Sequence, residues 1–182
     1  RTASGRQSET SPAQSASGSP ARSSRIAPQR VPLVLALALA AVFLALWWGL
    51  VPRSSPGDLV LYFDYANHIK DGHVPYRDFQ MEYPPLALVP ILTAFVPSHV
   101  VGGFFSGFAF VFALQSYLLA LGCGLIVWSL MPRILPDEEE DTHLLRMAAY
   151  IVGFLFLGQL TIARFDLAPT FLTLAAVALW LR

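Results

Sequence analysis

The side chains that are able to do chemistry are concentrated in one stretch, residues 57–86. These thirty positions hold five carboxylates, four tyrosines, one arginine, one lysine and two histidines. Carboxylates can act as general bases or as hard oxygen ligands for a divalent cation, and a guanidinium is well suited to holding a phosphate. Because a long apolar run comes directly before it, the stretch predicts a polar site just outside a membrane.

Helical spacing separates the carboxylates of this stretch. Asp58, Tyr62 and Tyr65 lie at i, i+4 and i+7 around a predicted amphipathic helix at 59–70, so they share one face. Asp64 falls on a different face. The alternative role for Asp58 is to cap this helix, since residues 55–58 resemble a capping box.

Composition predicts an all-α, polytopic transmembrane helical bundle with an extracytoplasmic loop subdomain. The chain of 182 residues is 55% hydrophobic and only 13% charged, which is typical of integral membrane proteins. A net charge of zero gives no sign of a nucleic-acid partner. The single cysteine, Cys123, excludes an intrachain disulfide and a cysteine-based metal cluster.

The chain divides into a tail and a series of apolar runs. Residues 1–30 carry five arginines and almost no large apolar side chains, so they predict a disordered cytoplasmic tail. The start at Arg1 and the stop at Arg182 suggest the N-terminal part of a larger protein. The remaining predictions are a first span at 31–51, an extracytoplasmic loop at 52–101 with a re-entrant or interfacial helix at 84–96, a second span at 102–131, an acidic cytoplasmic loop at 132–143, a third span at 144–163, and an outer motif with the fourth span at 164–182.

The topology depends on the run at 84–96. Its thirteen apolar residues are too few to cross a bilayer. If the run does not cross, Arg133, Arg146 and Arg182 all lie on the cytoplasmic side with the tail, as the positive-inside rule requires. Gln115, inside the second span, is then expected to form an interhelical hydrogen bond.

A second group of charges, Arg164 and Asp166, reaches the outer membrane face in this topology. The carboxylates of the first loop, among them Asp58, Asp78 and Glu82, are expected at the same face. Charges at a membrane edge are costly unless they pair or face water, so their meeting predicts a wet cleft.

The motifs of these two groups resemble those of the integral-membrane GT-C glycosyltransferases. The resemblance rests on Asp58 after the first span, Gly-x-x-Pro-Tyr-Arg-Asp-Phe at 72–79, Glu-Tyr-Pro-Pro-Leu at 82–86 and Arg-Phe-Asp-x-x-Pro at 164–169. It points to the polyprenol-phosphate-mannose-dependent alpha-mannosyltransferases, the family 87 type, and to the related GPI mannosyltransferase I.

The resemblance implies a multi-pass enzyme of a bacterial plasma membrane, with its N-terminus in the cytoplasm and its site outside. It implies a polyprenyl-phosphate sugar donor and a glycan or glycolipid acceptor. The position that matches the family's catalytic acid is Asp58. The family often has a second Asp two residues earlier, but Pro56 stands there, so no cofactor is expected, although a divalent cation is possible. The substrate-binding candidates are Tyr62, Tyr65, Tyr76, Arg77, Glu82, Tyr83, Arg164 and Asp166.

Plainer interpretations stay open for the same residues. Arg77 with Asp78, and Arg164 with Asp166, could be structural ion pairs, and the tyrosines could form an interfacial aromatic belt. At the level of the protein, the alternatives are a transporter or flippase for a lipid-linked or anionic solute, or a non-catalytic membrane subunit.

Overall fold

The computed structural model describes residues 30–50, 57–102, 104–137 and 139–181. The predicted tail at 1–30 therefore lies outside the described residues except for Arg30, and so do residues 51–56, where a cap for the loop helix would fall. Within the described ranges the chain is all-α: no strand forms, and Pro75 and Phe79 make one isolated β-bridge.

Seven α-helices follow one another within the described ranges. Their bounds are α1 Val31–Leu50, α2 Gly57–Lys70, α3 Leu88–Ser98, α4 Phe105–Ile134, α5 Glu140–Leu157, α6 Gln159–Ala163 and α7 Leu167–Trp180, with a 3-10 turn at Pro85–Ala87 before α3. The predicted loop helix and the first two predicted spans are all present as helices, with ends that differ by up to three residues.

Two of the described helices are long and apolar enough to span a membrane, Val31–Trp48 within α1 and Phe105–Ile134. The apolar helices Pro85–Ser98 and Leu167–Trp180 are shorter. At about 1.5 Å per residue, fourteen residues extend only about 21 Å, less than the roughly 30 Å hydrocarbon core.

The predicted third span, 144–163, is not one continuous helix. Gly158 has a positive φ of 54°, a backbone conformation that glycine adopts far more readily than other residues, and it separates α5 from α6. Local apolar composition could not show this break, because a glycine within an apolar run is also compatible with a continuous helix.

Helix α4 is the centre of the molecule and packs against every other described helix. Two clusters of buried side chains lie along it. The first, which we call the aromatic core, joins α2, α3 and the start of α4 through Tyr62, Phe95, Phe108 and Phe112, among others. The second, the aliphatic core, joins α1, α4 and α5 through side chains such as Leu35, Leu39, Val42 and Met147.

The predicted interhelical role of Gln115 is confirmed. Its Nε2 donates to the carbonyl oxygen of Pro90 at 3.1 Å, and its Oε1 lies 2.9 Å from Oγ1 of Thr93. Both partners belong to α3, so this polar contact ties the short helix α3 to the side of α4.

Candidate functional site

The site is centred on Asp58 and Arg164, which come from opposite ends of the described chain. Nε of Arg164 lies 3.1 Å from Oδ2 of Asp58 and 3.6 Å from Oδ2 of Asp166. The expected meeting of the loop carboxylate with the later Arg-Phe-Asp motif is therefore present. One guanidinium stands between two carboxylates, so the three ionised groups together carry a formal charge of −1.

Local backbone structure positions each of these three side chains. Asp58 lies in the first turn of α2, where the helix dipole favours a negative charge. Arg164 is in extended conformation directly after α6, and Asp166 is the residue before α7. The break between α6 and α7 thus places Arg164 beside the beginning of α2.

The carboxylates of Asp58 and Asp64 point in different directions, as the helical spacing predicts. Oδ2 of Asp64 lies 3.5 Å from Nε2 of His68, one turn further along α2, and its side chain is 62% exposed. Tyr62 and Tyr65, which share the face of Asp58, are buried. Asp58 itself is 38% exposed, so a ligand can still reach it.

Tyr62 lies fully inside the aromatic core, with 0% of its surface exposed. Three rings pack around it, those of Tyr83 at 5.5 Å, Phe112 at 5.6 Å and Phe165 at 5.9 Å between centroids. The ring and the hydroxyl of Tyr62 are both buried, so the predicted substrate-binding role of Tyr62 has no exposed surface to support it in this structure.

The hydroxyl of Tyr62 has no hydrogen-bond partner among the described residues. Burial raises the pKa of Tyr62, and the side chain of Tyr83 beside it adds to this effect. Tyr62 therefore stays a neutral hydroxyl, able to donate one hydrogen bond.

The arginine of the centre is held firmly in its charged form. The carboxylates of Asp166 and Asp58, together with the hydroxyl of Tyr83, raise the pKa of Arg164 above its ordinary value. Its Nε is buried, and although it contacts Asp58 closely, it has no partner with the geometry of a hydrogen bond.

The loop at 73–83 holds Tyr83 against this centre. The hydroxyl of Tyr76 donates to the carbonyl oxygen of Tyr83, and Tyr76 has a positive φ of 64°. Such a backbone conformation is unusual for a bulky residue and marks a local constraint. The ring of Tyr83 packs edge-on against Phe165, with centroids 5.1 Å apart.

The other candidates in the loop make local contacts. Arg77 pairs with the adjacent Asp78 at 2.8 Å, and both side chains lie in the exposed part of the loop. The Arg77 guanidinium and the amide of Val74 hold the pKa of Asp78 below its ordinary value. The backbone N–H of Glu82 donates to the hydroxyl of Tyr65 at 3.4 Å, while the Glu82 side chain is exposed.

A groove of about 530 Å³ runs from this centre along the helices. Arg164 and Asp166 lie at its polar end, with Thr161 and Thr170 nearby, and Cys123 also belongs to its lining. The rest of the lining is almost entirely apolar and comes from α5, α6 and α7.

Sequence reasoning missed Phe165 and the groove. Phe165 stands between Arg164 and Asp166 in the printed motif, so its position was visible, but its contacts with Tyr62 and Tyr83 depend on tertiary packing. As for metals, the described residues contain no group of three or more His, Cys, Asp or Glu side chains that could hold an ion.

Comparison with known proteins returns no relative, since no family model, curated protein or solved structure matches the chain. The motif resemblance therefore stays an expectation that no matched protein supports.

Proposed function

We propose that this protein is a multi-pass membrane glycosyltransferase that moves a hexose, with mannose as the favoured sugar, from a polyprenyl-phosphate donor to an acceptor hydroxyl outside the cytoplasm. The observation that carries the proposal is the contact of Asp58 with Arg164 at the polar end of an apolar groove. A groove of this kind suits a ligand that has both a lipid chain and a polar head.

The chemistry requires a base and a means of stabilising charge. Asp58 takes the proton of the acceptor hydroxyl, whose oxygen forms a bond to the anomeric carbon of the donor. The bond between that carbon and the phosphate oxygen breaks, and the phosphate oxygen keeps the electron pair. Because Oδ2 of Asp58 already contacts Arg164, Oδ1 is the oxygen that receives the proton.

Phosphate leaves as a stable anion, so the protein's main tasks are positioning and charge stabilisation. The lipid phosphate gains one negative charge when the bond breaks, and Arg77 or Arg164 stabilises it. The membrane arrangement that goes with this function is the predicted bundle, with the site on the outer face.

The first test replaces each loop carboxylate by its amide in the full-length protein. Asp58→Asn should reduce sugar transfer from a lipid-phosphate donor by roughly 10²–10⁴-fold, the usual contribution of a general base. Its thermal stability should change little, because the pair with Arg164 is partly exposed and such pairs contribute about 0–1 kcal/mol.

Asp64→Asn is the matched control and should retain most of the activity. Equal losses from both substitutions, or full activity in Asp58→Asn, would contradict the role of Asp58. Failure of the unaltered protein to transfer sugar from any lipid-phosphate donor, combined with binding of such donors, would favour the transporter.

The second test concerns the membrane arrangement. Single cysteines at Val100 and Arg133, both exposed, in a Cys123→Ala background, should be labelled by a membrane-impermeant maleimide from opposite sides of the bilayer. The reason is that the helix Pro85–Ser98 is too short to cross, whereas Phe105–Ile134 is long enough. Labelling of both positions from one side would overturn this topology.

A further inference from the structure

The loop that follows α2 is a small closed unit fixed on that helix. The N–H of Tyr76 donates to the carbonyl oxygen of Phe79 at 3.0 Å, and the N–H of Asp78 donates to that of Val74 at 2.9 Å. The ring of Phe79 stacks on His68 of α2, with centroids 5.0 Å apart and an angle of 21° between the planes. The backbone of Tyr76 is therefore held in place both within the loop and through α2.

The backbone conformation of Tyr76 is unfavourable for its residue type. Its φ of 64° lies in the left-handed region, which glycine adopts far more readily than an aromatic residue. Among the described residues, Tyr76 is the one non-glycine residue with a positive φ. Strain of this kind persists where the surrounding structure enforces it, and it concentrates at functional sites. Because glycine would fit the backbone better, the tyrosine at this position indicates a role for its side chain.

The side chain of Tyr76 holds Tyr83. Its hydroxyl donates to the carbonyl oxygen of Tyr83, although half of the Tyr76 surface is exposed. Tyr83 belongs to no described helix, and the proline that follows it, Pro84, disfavours helical backbone at position 83. The hydroxyl of Tyr76 is thus a fixed point for a residue that no helix positions.

Tyr83 in turn contacts the centre formed by Asp58 and Arg164. Its ring packs edge-on against Tyr62 at 5.5 Å and against Phe165 at 5.1 Å between centroids. Its side chain also contributes to the raised pKa of Arg164, whose Nε lies 3.1 Å from Oδ2 of Asp58. A displacement of Tyr83 therefore changes the surroundings of the guanidinium that contacts the proposed base.

We propose that Tyr76 is a positioning residue for the sugar transfer, which acts through Tyr83 on the guanidinium of Arg164 and does not touch the substrate. The inference deepens the proposed function and rests on it. It replaces the substrate-binding role predicted for Tyr76, because the hydroxyl of Tyr76 is already engaged with the chain itself. A residue with this role changes kcat more than the KM of the acceptor, since it makes no contact with the acceptor.

The first test deletes only the hydroxyl of Tyr76. In the full-length protein, with polyprenyl-phosphate mannose as donor and octyl α-mannopyranoside as acceptor, Tyr76→Phe should lower kcat roughly 10- to 100-fold, as a small misplacement of reacting groups does. The KM of the acceptor should stay within about twofold. Tyr83→Phe should have a similar effect, and the double variant should lose little more than either single variant, because residues that act in one chain of contacts are not additive.

Tyr76→Gly separates stability from positioning. Glycine relieves the strained φ, so the melting temperature should equal or exceed that of Tyr76→Phe, whereas kcat should fall at least as far. Tyr117→Phe is the matched control, since it also deletes a hydroxyl that donates to a backbone carbonyl, that of Ala36, but away from the centre. It should lower the melting temperature and leave kcat unchanged.

A measurement without sugar transfer separates this inference from the proposed function. With 3-fluorotyrosine at position 83 alone, the fluorine NMR signal should shift or broaden in Tyr76→Phe and stay unchanged in Tyr117→Phe. If the protein transfers no sugar but the signal responds in this way, the proposed function fails while the coupling of Tyr76 to Tyr83 is supported. An unmoved signal, a raised acceptor KM with kcat unchanged, or additive losses in the double variant would overturn the inference.

Discussion

The aromatic core and the aliphatic core both pack on α4, but they differ in whether a tyrosine hydroxyl at the contact donates to a backbone carbonyl. Where α4 meets α1 and α5, around the aliphatic core, Tyr117 donates to the carbonyl oxygen of Ala36 at 3.2 Å and Tyr150 donates to that of Ala120 at 2.6 Å. In the aromatic core, Tyr62 is more deeply buried than either and donates to no described group. A satisfied hydroxyl adds stability, whereas an unsatisfied one lowers it and is retained where function needs it.

This difference separates a core whose tyrosines stabilise the packing of helices from a core that lies beside the candidate site. The aliphatic core includes the contacts of α1 and α5 with α4 at Gly124, where a Cβ would lie 2.9 Å from Cδ2 of Leu35 and 3.1 Å from Cε1 of Tyr150. The aromatic core instead borders the charged centre at Asp58 and Arg164. Substitutions in the two cores should therefore separate stability from binding.

The largest effect is expected from emptying the aromatic core. Phe112→Ala removes a fully buried ring that contacts Tyr62, and we expect a loss of about 3–5 kcal/mol in unfolding free energy. Because Tyr62 lies on the helix that carries Asp58, loss of its support should also reduce sugar transfer by the proposed enzyme. Thermal unfolding and a transfer assay on the purified protein measure the two effects.

Leu39→Ala is the control in the aliphatic core. Leu39 is also fully buried, so the expected loss is about 2–5 kcal/mol, but sugar transfer should be retained in the folded protein. If both variants lose transfer activity equally, the two cores do not differ in their effect on the candidate site.

A smaller effect is expected where α7 approaches α4. A Cβ at Gly122 would lie 2.7 Å from Cε2 of Phe171, and because the ring is rigid, Gly122→Ala should cost about 1–3 kcal/mol. At Gly153, within α5, a Cβ meets nothing within 4 Å, so Gly153→Ala should instead stabilise the helix by about 0.5–1 kcal/mol. If Gly122→Ala and Gly153→Ala changed the free energy of unfolding in the same direction, that result would contradict this packing.

The smallest effect lies in the exposed loop, outside both cores. Because the folded-state pKa of Asp78 is lowered from the ordinary value of 3.8, its stabilising contribution is fully present above that value and is lost as the pH falls through the lower folded-state pKa. The N–H of Val74 donates to Oδ2 of Asp78 at 2.8 Å, so hydrogen exchange at Val74 should report the transition.

Two variants sharpen this pH prediction. Asp78→Asn should show weak protection at Val74 at every pH, and Arg77→Ala should move the transition to higher pH, since the Arg77 guanidinium is the largest cause of the lowered pKa. Protection that does not vary with pH in the unaltered protein would show that the carboxylate does not hold this amide.

The sequence was enough to predict the features that depend on helical periodicity and on the order of the apolar runs. The separate directions of Asp58 and Asp64 follow from helical spacing alone, and Gln115 was expected to bond across helices because an amide in an apolar helix needs a partner. The meeting of Asp58 with Arg164 required only the order of the apolar runs and the cost of unpaired charge at a membrane edge.

The remainder depends on tertiary packing. The spacing placed Tyr62 on the face of Asp58 but could not show that three rings enclose it, because those rings come from other segments of the chain. Gly158 could be identified as a glycine but not as a helix break. The groove beside Arg164 arises between helices that no local pattern relates to one another.

The pairing of Asp58 with Arg164 has a consequence for the order in which the protein is made. Asp58 belongs to the second described helix and leaves the ribosome early, whereas Arg164 follows only after α6. Until then the carboxylate lacks the guanidinium of Arg164, and water and the helix dipole must stabilise its charge. The polar centre is therefore completed late in synthesis, and a nascent chain released before α6 would contain most of both cores but no centre.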